Sequence, residues 1–528
     1  MLRRWFLLPL AIAPLTAQTV PERASVEGQV VNQRTGAPIA GAQIKLFGGG
    51  SPTLAATDRK GRFTLSGLEA GYYHIQAQRA GFLPLPWART ILNLAPSDQI
   101  KDFTVRLTPQ AAISGTVLDA EGAPVAYVYV HVLQLTWRNG KRVLTPTVGR
   151  AQSNDVGEFR ISGLAAGDYL VRAQPRELAV PLGEDKIKRF YVVTWYPGVT
   201  DAGAAAALHL ATGDERTGLA LTLRASTVVT VRGHLVRSPA KPETTDASVQ
   251  LFSADDAGQT DIVGGAQANG PEGAFAIPNV SPGSYRIQAQ LTDLTAVQQN
   301  IFSAYQIIQV SDTDVEGITL SPAPPQTLAG FVKWDGKPPK DAGPCWVALN
   351  GESRVLMSNL PRATVKADGD FSLEVAPGRF ELTAYCESKG SYMKAARLGD
   401  ADVLEVGIDG SEALPDRPLQ VTMATGAGEI EGSVLDADSH PVSGATVVVI
   451  PDAPKRAGLF QNAATDQNGH FKLSDIVPDA YSLYAWDQVE DGAWNSDEFI
   501  KKYHDQRKRV QLDAGGREAL QLQLIKVE

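Results

Sequence analysis

Histidine and cysteine are scarce in this chain, which has seven histidines and two cysteines in 528 residues. No histidine begins a His-Glu-x-x-His or His-x-x-Glu motif, and no two have the usual spacing of zinc ligands. A Gly-x-Ser-x-Gly nucleophile elbow and a phosphate-binding glycine loop are also missing. These gaps argue against the familiar metallopeptidase, serine hydrolase and nucleotide-binding sites. We therefore predict a protein that is not an enzyme, with no catalytic residue, no cofactor and no metal site.

Positive charge is also in short supply. The chain has 49 Lys and Arg against 58 Asp and Glu, which gives a formal net charge of −9. Binding to nucleic acids or to anionic lipid surfaces relies on basic side chains that neutralise phosphate. We therefore expect neither a nucleic acid nor an anionic membrane surface among the partners.

Long apolar runs are missing except near the N-terminus. Arg3 and Arg4 precede an apolar stretch over residues 5–15, which is followed by Thr16-Ala17-Gln18. A basic start, a short apolar run and a small-residue exit are typical of a secretory signal peptide, and the run is too short to span a bilayer comfortably. We predict a signal peptide over residues 1–17 with cleavage after Ala17, no membrane span in the mature chain, and a secreted or periplasmic location.

One phrase of sequence recurs five times in the remaining chain. It reads Gly-x-Phe-x-[Leu/Ile], and about eight residues later a turn leads into an aromatic-x-[aliphatic]-x-Ala stretch. The leading glycines are Gly61, Gly157, Gly273, Gly369 and Gly469. Solenoid repeats have about 20–50 residues, whereas a unit of about 100 residues can bury a core of its own. The spacing therefore predicts five separate domains in tandem.

Each repeat has the pattern of an all-β domain. Residues 63–65 and 73–77 alternate apolar and polar side chains, as strands with one buried face do. Similar short runs are separated by Gly/Pro turns every 8–12 residues, which is the signal for a β-sandwich. Helix signals are few, and the best one starts at Ser496 as an N-cap. We predict an all-β fold of five seven-stranded-type sandwiches as beads on a string. If stretched end to end, the five domains would make a rod of about 170 Å.

The predicted domain boundaries follow the repeats and the short linkers between them. One linker, residues 321–325, contains three prolines, and proline favours an extended, semi-rigid connection. The five predicted domains are residues 23–109, 110–226, 227–324, 325–427 and 428–528.

The five units resemble carboxypeptidase regulatory-like domains, which are transthyretin-like (prealbumin-like) or starch-binding-like β-sandwiches. The resemblance rests on the glycine of the first strand, as at Gly28, on the turn Gly36-Ala37-Pro38-Ile39, and on the block Thr57-Asp58-x-x-Gly61-x-Phe63. It covers nearly all of residues 24–528, with only the core of the pattern kept in repeats three and four. The tracts over residues 195–198 and 485–503 look like versions found in multi-repeat envelope proteins of soil bacteria. The family is an accessory module in many proteins, so the resemblance implies a fold and no particular activity.

Both cysteines lie in the fourth repeat. Cys345 has the same parity as Val347 and Leu349, and Cys386 has the same parity as Leu382 and Ala384. Period-2 alternation turns both cysteines toward one core, and an exported chain meets oxidising conditions. We predict a disulfide between Cys345 and Cys386. The alternative is a pair of buried free thiols.

Aromatic residues cluster in two of the repeats and give the candidate ligand-binding residues. They are Trp195 and Tyr196 in the second repeat and Tyr484, Trp486 and Trp494 in the fifth. Exposed Trp and Tyr rings can stack on sugars. The alternative is that these rings plug the ends of the sandwiches or pack between domains. An exposed platform with polar neighbours would favour the first interpretation, and burial would favour the second.

The sequence thus predicts a secreted, non-enzymatic, multi-domain binding or spacer protein of the cell envelope. One alternative is a carbohydrate-binding protein that uses exposed aromatic residues. Another is an accessory module for an envelope receptor or peptidase. The partners expected under these hypotheses are a polysaccharide or another envelope protein.

Overall fold

The computed structural model of the chain describes most of the five repeats. The described residues are 23–48, 51–85, 91–138, 140–175, 189–236, 245–254, 262–269, 273–293, 301–339, 342–351, 361–452 and 459–527. The predicted signal peptide, residues 1–17, lies outside them. In the described residues eleven sheets form five sandwiches, which we call sandwiches 1 to 5 in the order of the repeats; sandwich 2 has three sheets and each of the others has two. The prediction of an all-β fold of tandem sandwiches is confirmed.

Sandwich 1 shows the arrangement that the others vary. Its strands are β1 (Ala24–Asn32), β2 (Gln43–Phe47), β3 (Thr53–Ala56), β4 (Arg62–Leu68), β5 (Gly71–Gln78), β6 (Ile91–Leu94) and β7 (Gln99–Leu107). One sheet has the order β4-β1-β7, with β1 parallel to β7, and the other has the order β3-β2-β5-β6. Val26 and Leu65 from the first sheet share a buried cluster with Ile44 and Ile75 from the second. The apolar faces of two sheets thus form one core.

Sandwich 2 has a longer hairpin and extra strands. Its elements are β8 (Ala111–Leu118), β9 (Tyr129–Arg138), β10 (Lys141–Gln152), β11 (Glu158–Leu164), β12 (Gly167–Gln174), β13 (Arg189–Val192), β14 (Thr194–Trp195), a 3-10 helix (Ala202–Ala204), β15 (Leu208–Leu210), β16 (Glu215–Thr222) and β17 (Arg224–Thr227). The sheet orders are β11-β8-β16, β10-β9-β12-β14 with β15 beside β12, and β13-β17.

Sandwiches 3 and 4 keep the two-sheet plan. Sandwich 3 contains β18 (Val229–Leu235), β19 (Thr245–Ser253), β20 (Ile262–Gln267), β21 (Ala274–Val280), β22 (Gly283–Asp293), β23 (Ile301–Val310) and β24 (Val315–Leu320). Sandwich 4 contains β25 (Gln326–Trp334), β26 (Cys345–Gly351), β27 (Arg362–Thr364), β28 (Asp370–Val375), β29 (Arg379–Cys386), β30 (Ser391–Leu398), β31 (Ala401–Asp402), α1 (Val403–Val406), β32 (Ile408–Asp409) and β33 (Leu419–Thr425). Their orders are β21-β18-β24 with β20-β19-β22-β23, and β28-β25-β33-β30-β31 with β27-β26-β29-β32.

Sandwich 5 carries the predicted helix. Its elements are β34 (Gly428–Leu435), β35 (Thr446–Pro451), β36 (Gln461–Ala464), β37 (His470–Ile476), β38 (Ala480–Trp486), a 3-10 helix (Ala493–Asn495), α2 (Asp497–Lys501), a 3-10 helix (His504–Gln506), β39 (Lys508–Gln511) and β40 (Arg517–Gln523). Its sheet orders are β37-β34-β40 and β36-β35-β38-β39. The helix predicted after Ser496 is confirmed, because the Ser496 hydroxyl accepts a hydrogen bond from the backbone N of Phe499. No helix among the described residues is long and apolar enough to cross a membrane.

The first-strand glycine and the phenylalanine of the repeated phrase form one structural unit. Each glycine lies opposite its phenylalanine in the antiparallel register, as Gly28 does with Phe63 and Gly432 with Phe471. A Cβ atom built at Gly432 would overlap the carbonyl oxygen of Leu520 in the parallel neighbouring strand. The glycine therefore lets two backbones approach closely, and the aromatic ring covers the gap left by the missing side chain.

The Thr-Asp block of the phrase holds a buried turn. The Thr57 hydroxyl donates to the carbonyl oxygen of Ile39 at 2.7 Å and accepts from the backbone N of Ala42 at 2.8 Å. Asp58 Oδ1 accepts from the backbone N of Lys60 and of Arg62, both at 2.8 Å, as Asx turns do. Ser153 and Thr465 make the equivalent hydroxyl bonds in sandwiches 2 and 5.

The tyrosine of the phrase is also structural. Its hydroxyl donates to the carbonyl oxygen four residues earlier in Tyr73, Tyr169, Tyr285 and Tyr481. Burial raises the pKa of Tyr169 to about 12, so this hydroxyl stays protonated at neutral pH. In sandwich 4 the position is Phe380, which keeps the buried ring without the hydrogen bond. The whole repeated phrase is thus explained by folding.

The sandwiches are not stretched out end to end, because distant units contact each other. Gln467 Nε2 donates to the carbonyl oxygen of Asn93 at 2.9 Å, which joins sandwich 5 to sandwich 1. Arg142 of sandwich 2 forms a 2.8 Å ion pair with Glu490 of sandwich 5. Sandwich 5 therefore folds back on earlier units. The stiffness of a proline linker constrains neighbouring domains only, and it carries no information on contacts between distant ones.

Candidate ligand-binding face

The sheet that contains the aromatic strand of the phrase (β12, β29 or β38) has an outer face that differs between sandwiches, whereas the pattern of the core recurs. In sandwich 5 this face is covered by the segment that contains α2. Trp486 is 0% exposed, stacks on Tyr484 with ring centroids 5.0 Å apart, and meets the edge of Tyr503 at 5.8 Å. Trp494 belongs to the same buried cluster. The segment over residues 487–507 is therefore a cap with a small core of its own.

Sandwich 2 covers its outer face in a similar way. Trp195 is 8% exposed and packs with Leu133 and Leu170. The Arg172 guanidinium lies 5.5 Å from the centre of its ring. Tyr196 is half-buried against the main core of the sandwich.

The five predicted ligand-binding aromatics therefore need a correction. Four of them are buried and Tyr196 is half-buried, so they do not form an exposed platform for a sugar. The alternative interpretation, in which these rings pack inside the sandwiches, agrees with their positions. The physical reason is that an insertion after the outward-facing strand supplies apolar side chains, and burying a Trp or Tyr ring against them is strongly favourable.

Sandwich 4 leaves Tyr385 exposed and Trp346 half-buried on the outer face of its four-stranded sheet. Trp346 in β26 lies opposite Tyr385 in β29. Their rings stack with centroids 5.9 Å apart and an interplanar angle of 12°. The Arg362 guanidinium from β27 lies 5.1 Å from the centre of the Trp346 ring. Because β27 and β29 flank β26, these neighbours contact Trp346 from opposite sides, and we call the three side chains the Tyr385 row.

A disulfide lies beside this row. Cys345 and Cys386 are bonded and face each other in the register immediately next to Trp346 and Tyr385. The bond fixes the pairing of β26 and β29, so it also fixes which rings meet on the outer face. Tyr385 is 62% exposed even though its ring is supported on one side.

Tyr385 forms part of the wall of a cleft between sandwiches 4 and 5, which we call the 4–5 cleft. The cleft has a volume of about 780 Å³. Glu387 and Lys389 line it from sandwich 4, and Asp475 and Asp479 line it from sandwich 5. The backbone N of Gly390 donates to Asp475 Oδ1 at 3.2 Å, which ties the two walls together.

The charges that line the cleft are unequal. Lys394 lies in the lining but forms an ion pair with Asp335 outside it. The hydrogen bond in this pair holds the pKa of Asp335 below its usual value and raises that of Lys394. Lys389 thus faces the carboxylates of Glu387, Asp475 and Asp479. The described part of the cleft is acidic.

Trp346 and Tyr385 could have been found from the sequence. The alternation that turns Cys345 and Cys386 inward also turns their neighbours Trp346 and Tyr385 outward. Two aromatic residues at outward positions of paired strands indicate an exposed aromatic surface. Clusters of aromatic residues along the sequence do not reveal this pair, because strand pairing is what brings the two residues together.

One group of possible metal ligands occurs within the described residues. Ligand atoms of Asp436, Asp438 and His440 lie within 4.8 Å of one another. Asp436 Oδ1 accepts from the backbone N of Asp438 and of His440, both at 2.9 Å. These bonds, His440 first, keep the pKa of Asp436 below its usual value. The same turn occurs at Asp58 and Asp466, so it forms part of the fold.

Three stretches of the chain, residues 25–108, 112–179 and 429–524, match the family model of the carboxypeptidase regulatory-like domain. These three stretches are similar to carboxypeptidase regulatory-like domains. The matched stretches lie in sandwiches 1, 2 and 5, whose strands and turns carry the phrase described above. The β-sandwich fold implied by the resemblance is therefore confirmed for these three stretches. A search of curated proteins finds no match.

Several solved structures align with parts of the chain. The major pilin subunit BcpA of Bacillus cereus is 14% identical, covering 57% of this chain and 100% of its own, with a TM-score of 0.18. The pilus protein RrgB of Streptococcus pneumoniae is 9% identical, covering 80% of this chain and 99% of its own, with a TM-score of 0.16. A DUF3823 family protein of Parabacteroides merdae is 14% identical, covering 29% and 92%, with a TM-score of 0.15. Similarity at this level carries no inference about function.

Proposed function

We propose that this protein is a secreted, non-enzymatic binding protein of the cell envelope. Its sandwiches form a scaffold, and the outer face of sandwich 4 is the ligand-binding face. The observation that carries the proposal is the Tyr385 row, in which Tyr385 is 62% exposed and is supported by the half-buried Trp346. Exposed aromatic rings beside polar groups favour a binding role.

The distribution of covered and open faces supports this choice. Sandwiches 2 and 5 each use their own chain to bury the aromatic rings on the outer face of the larger sheet. Sandwich 4 keeps Tyr385 exposed beside a cleft. An exposed aromatic ring does not give the stabilisation that burial would give. A purely structural spacer gains nothing from such a ring, whereas a binding protein does.

The absence of enzymatic activity is part of the proposal. The repeated Thr, Asp, Phe and Tyr residues have structural partners in the described sandwiches. The charged groups of the 4–5 cleft include no nucleophile-base pair among the described contacts. Incubation with chromogenic esters, peptides and glycosides would test this part, and turnover that disappears in a cleft variant would contradict it.

Secretion is also proposed, from the signal-like residues 1–17 and from the disulfide. A structural disulfide fits an oxidising compartment. The test is expression of the full chain in its natural host, followed by mass spectrometry of the culture medium and of the periplasmic fraction. We expect a mature protein that begins at Gln18. An uncleaved N-terminus in the cytosol would contradict the proposed location.

The binding proposal is tested by co-sedimentation of residues 18–528 with isolated cell envelopes. We expect binding that is strongly reduced by the double variant Trp346→Ala/Tyr385→Ala. The matched control is Tyr72→Ala, which removes a tyrosine that is 72% exposed on sandwich 1. Equal loss in both variants, or no binding by the unmodified protein, would favour the spacer or accessory role.

A further inference from the structure

We propose that the 4–5 cleft binds a neutral glycan chain, with one sugar ring stacked on Tyr385. This inference rests on the proposed binding function and names its ligand class. It comes from three features of the described residues: a supported aromatic wall, acceptor groups held in place, and an excess of negative charge.

The aromatic wall is ordered before a ligand arrives. Trp346 stacks on Tyr385, and Arg362 lies over Trp346. The disulfide between Cys345 and Cys386 holds the two strands that carry the rings. A ring that is already immobilised loses little conformational entropy on binding, so more of the stacking energy appears as affinity. An exposed, supported ring suits the flat apolar face of a sugar.

Carboxylate oxygens of the cleft suit sugar hydroxyl donors. Asp475 Oδ1 accepts from the backbone N of Gly390 at 3.2 Å, and Asp479 Oδ1 accepts from the backbone N of Ala480 at 2.8 Å. Each of these bonds orients a carboxylate and leaves its second oxygen for a ligand. Ionised carboxylates accept but cannot donate, so they select a ligand rich in hydroxyl donors.

One neutral side chain in the lining also lacks a partner. The Ser388 hydroxyl is shielded from solvent and has no hydrogen-bond partner among the described residues. A shielded hydroxyl without a partner is unfavourable, and a ligand hydroxyl could supply one after a small movement of this loop.

The charge balance distinguishes a neutral glycan from an acidic one. Glu387, Asp475 and Asp479 line the cleft against Lys389, because Lys394 is engaged by Asp335. A uronic acid placed here would be repelled by carboxylates in a partly desolvated space. The volume of about 780 Å³ falls in the range typical of small-ligand sites, so a short stretch of chain fits.

The test measures binding of residues 18–528 to soluble oligosaccharides by isothermal titration calorimetry. The neutral probes are cellohexaose, xylohexaose, maltohexaose and chitohexaose, and the acidic probe is a galacturonic acid hexamer. We expect at least one neutral probe to bind, and the acidic probe to bind more weakly than that probe. Preferred binding of the acidic probe would overturn the assignment of a neutral ligand.

The variants locate the binding site. We expect Tyr385→Ala to weaken binding of the neutral probe about tenfold, as loss of aromatic stacking does, and Tyr385→Phe to retain most of it. Glu387→Gln and Asp479→Asn should lower the affinity for the neutral probe. They should also reduce the ratio of the affinity for the neutral probe to the affinity for the acidic probe. The control Tyr72→Ala should bind like the unmodified protein, and thermal unfolding checks that every variant is folded. Binding that survives Tyr385→Ala would overturn the site.

Failure of this inference can be told from failure of the proposed function. If envelopes bind through the Tyr385 row but no neutral oligosaccharide binds, the ligand class is wrong and the binding function stands. If neither envelopes nor oligosaccharides bind, both proposals fail.

Discussion

Sandwiches 4 and 5 use the same position of the same strand in opposite ways. The repeated phrase aligns Phe380, Leu382 and Ala384 of β29 with Tyr481, Leu483 and Ala485 of β38, so Tyr385 occupies the position of Trp486. Tyr385 is 62% exposed, whereas Trp486 is 0% exposed. The difference comes from the cap over residues 487–507. A strand position therefore does not decide between core and surface until the chain that follows it is known.

Replacing each aromatic side chain by alanine should give the largest difference between the two sandwiches. Trp486→Ala should destabilise sandwich 5 by about 3–5 kcal/mol, because it empties the centre of the cap. Tyr385→Ala should change stability by about 1 kcal/mol or less, because most of the ring is exposed. Urea-dependent hydrogen exchange, read on peptides of each sandwich, separates the two effects.

A conservative variant serves as the control for that experiment. Trp486→Phe keeps an aromatic ring and removes an indole N–H that has no hydrogen-bond partner among the described residues. Its cost should be clearly smaller than that of Trp486→Ala. Similar losses for Phe and Ala would mean that the indole nitrogen, rather than ring packing, stabilises the cap.

Removing the disulfide should affect sandwich 4 and spare sandwich 5. Cys345 and Cys386 are 41 residues apart in sequence, and closing a loop of this size stabilises a domain by about 4 kcal/mol in the chain-entropy model. The variant Cys345→Ala/Cys386→Ala should therefore lose protection in sandwich 4. It should also weaken ligand binding at the Tyr385 row. Unchanged exchange in β26 and β29 would contradict the prediction.

The ion pair that holds the cap should have a smaller effect. Arg142 bonds to Glu490 at 2.8 Å and to Asp168 at 3.2 Å. Arg142→Ala should destabilise the cap by about 1–2 kcal/mol, less than for a fully buried pair, because both Arg142 and Glu490 keep 36% of their side-chain surface exposed. Protease accessibility of residues 487–507 measures the effect, and Lys141→Ala is the control.

The same pair predicts a dependence on pH. Burial raises the pKa of Glu490, although Arg142 opposes the shift. A carboxyl group with a raised folded-state pKa contributes stability below its unfolded pKa, and this contribution is lost as the pH rises through the folded value. In the unmodified protein, cap stability should therefore fall as the pH rises above about 4.5. In Glu490→Gln this fall should be smaller, and at neutral pH the cap should be at least as stable as in the unmodified protein. A steeper pH profile in this variant would contradict the burial argument.

The weakest expected effect concerns the support of the Tyr385 row. A cation over an exposed aromatic ring contributes about 0.5–1 kcal/mol, so Arg362→Ala should destabilise sandwich 4 by no more than this. A double-mutant cycle with Trp346→Leu, which removes the aromatic ring, isolates the contact. Additive effects in the cycle would show that Arg362 does not support the ring.

The cores of the sandwiches could be predicted from the sequence because their pattern is local. Alternation along single strands places Phe63, Ile75 and the cysteine pair inward, and the structure agrees. The same rule also points Tyr385 outward. The cap on sandwich 5 was missed because residues 487–507 have no strand periodicity that assigns them to a face.

Contacts between distant sandwiches could not be predicted in this way. The pair Arg142–Glu490 joins residues 348 positions apart, and Gln467–Asn93 joins residues 374 positions apart. Nothing in the local pattern of either residue identifies its partner. The arrangement of the units and the 4–5 cleft therefore depend on the folded structure.

The parallel pairing of the first and last strands of a sandwich has a mechanical consequence. In sandwich 1 the register runs from Ser25 opposite Gln99 to Asn32 opposite Leu107, and sandwiches 2 to 5 pair their first strands in the same parallel way. Tension on the chain pulls such strands past each other, so their hydrogen bonds are loaded together in shear instead of opening one at a time. We expect single-molecule stretching to give high unfolding forces for each unit.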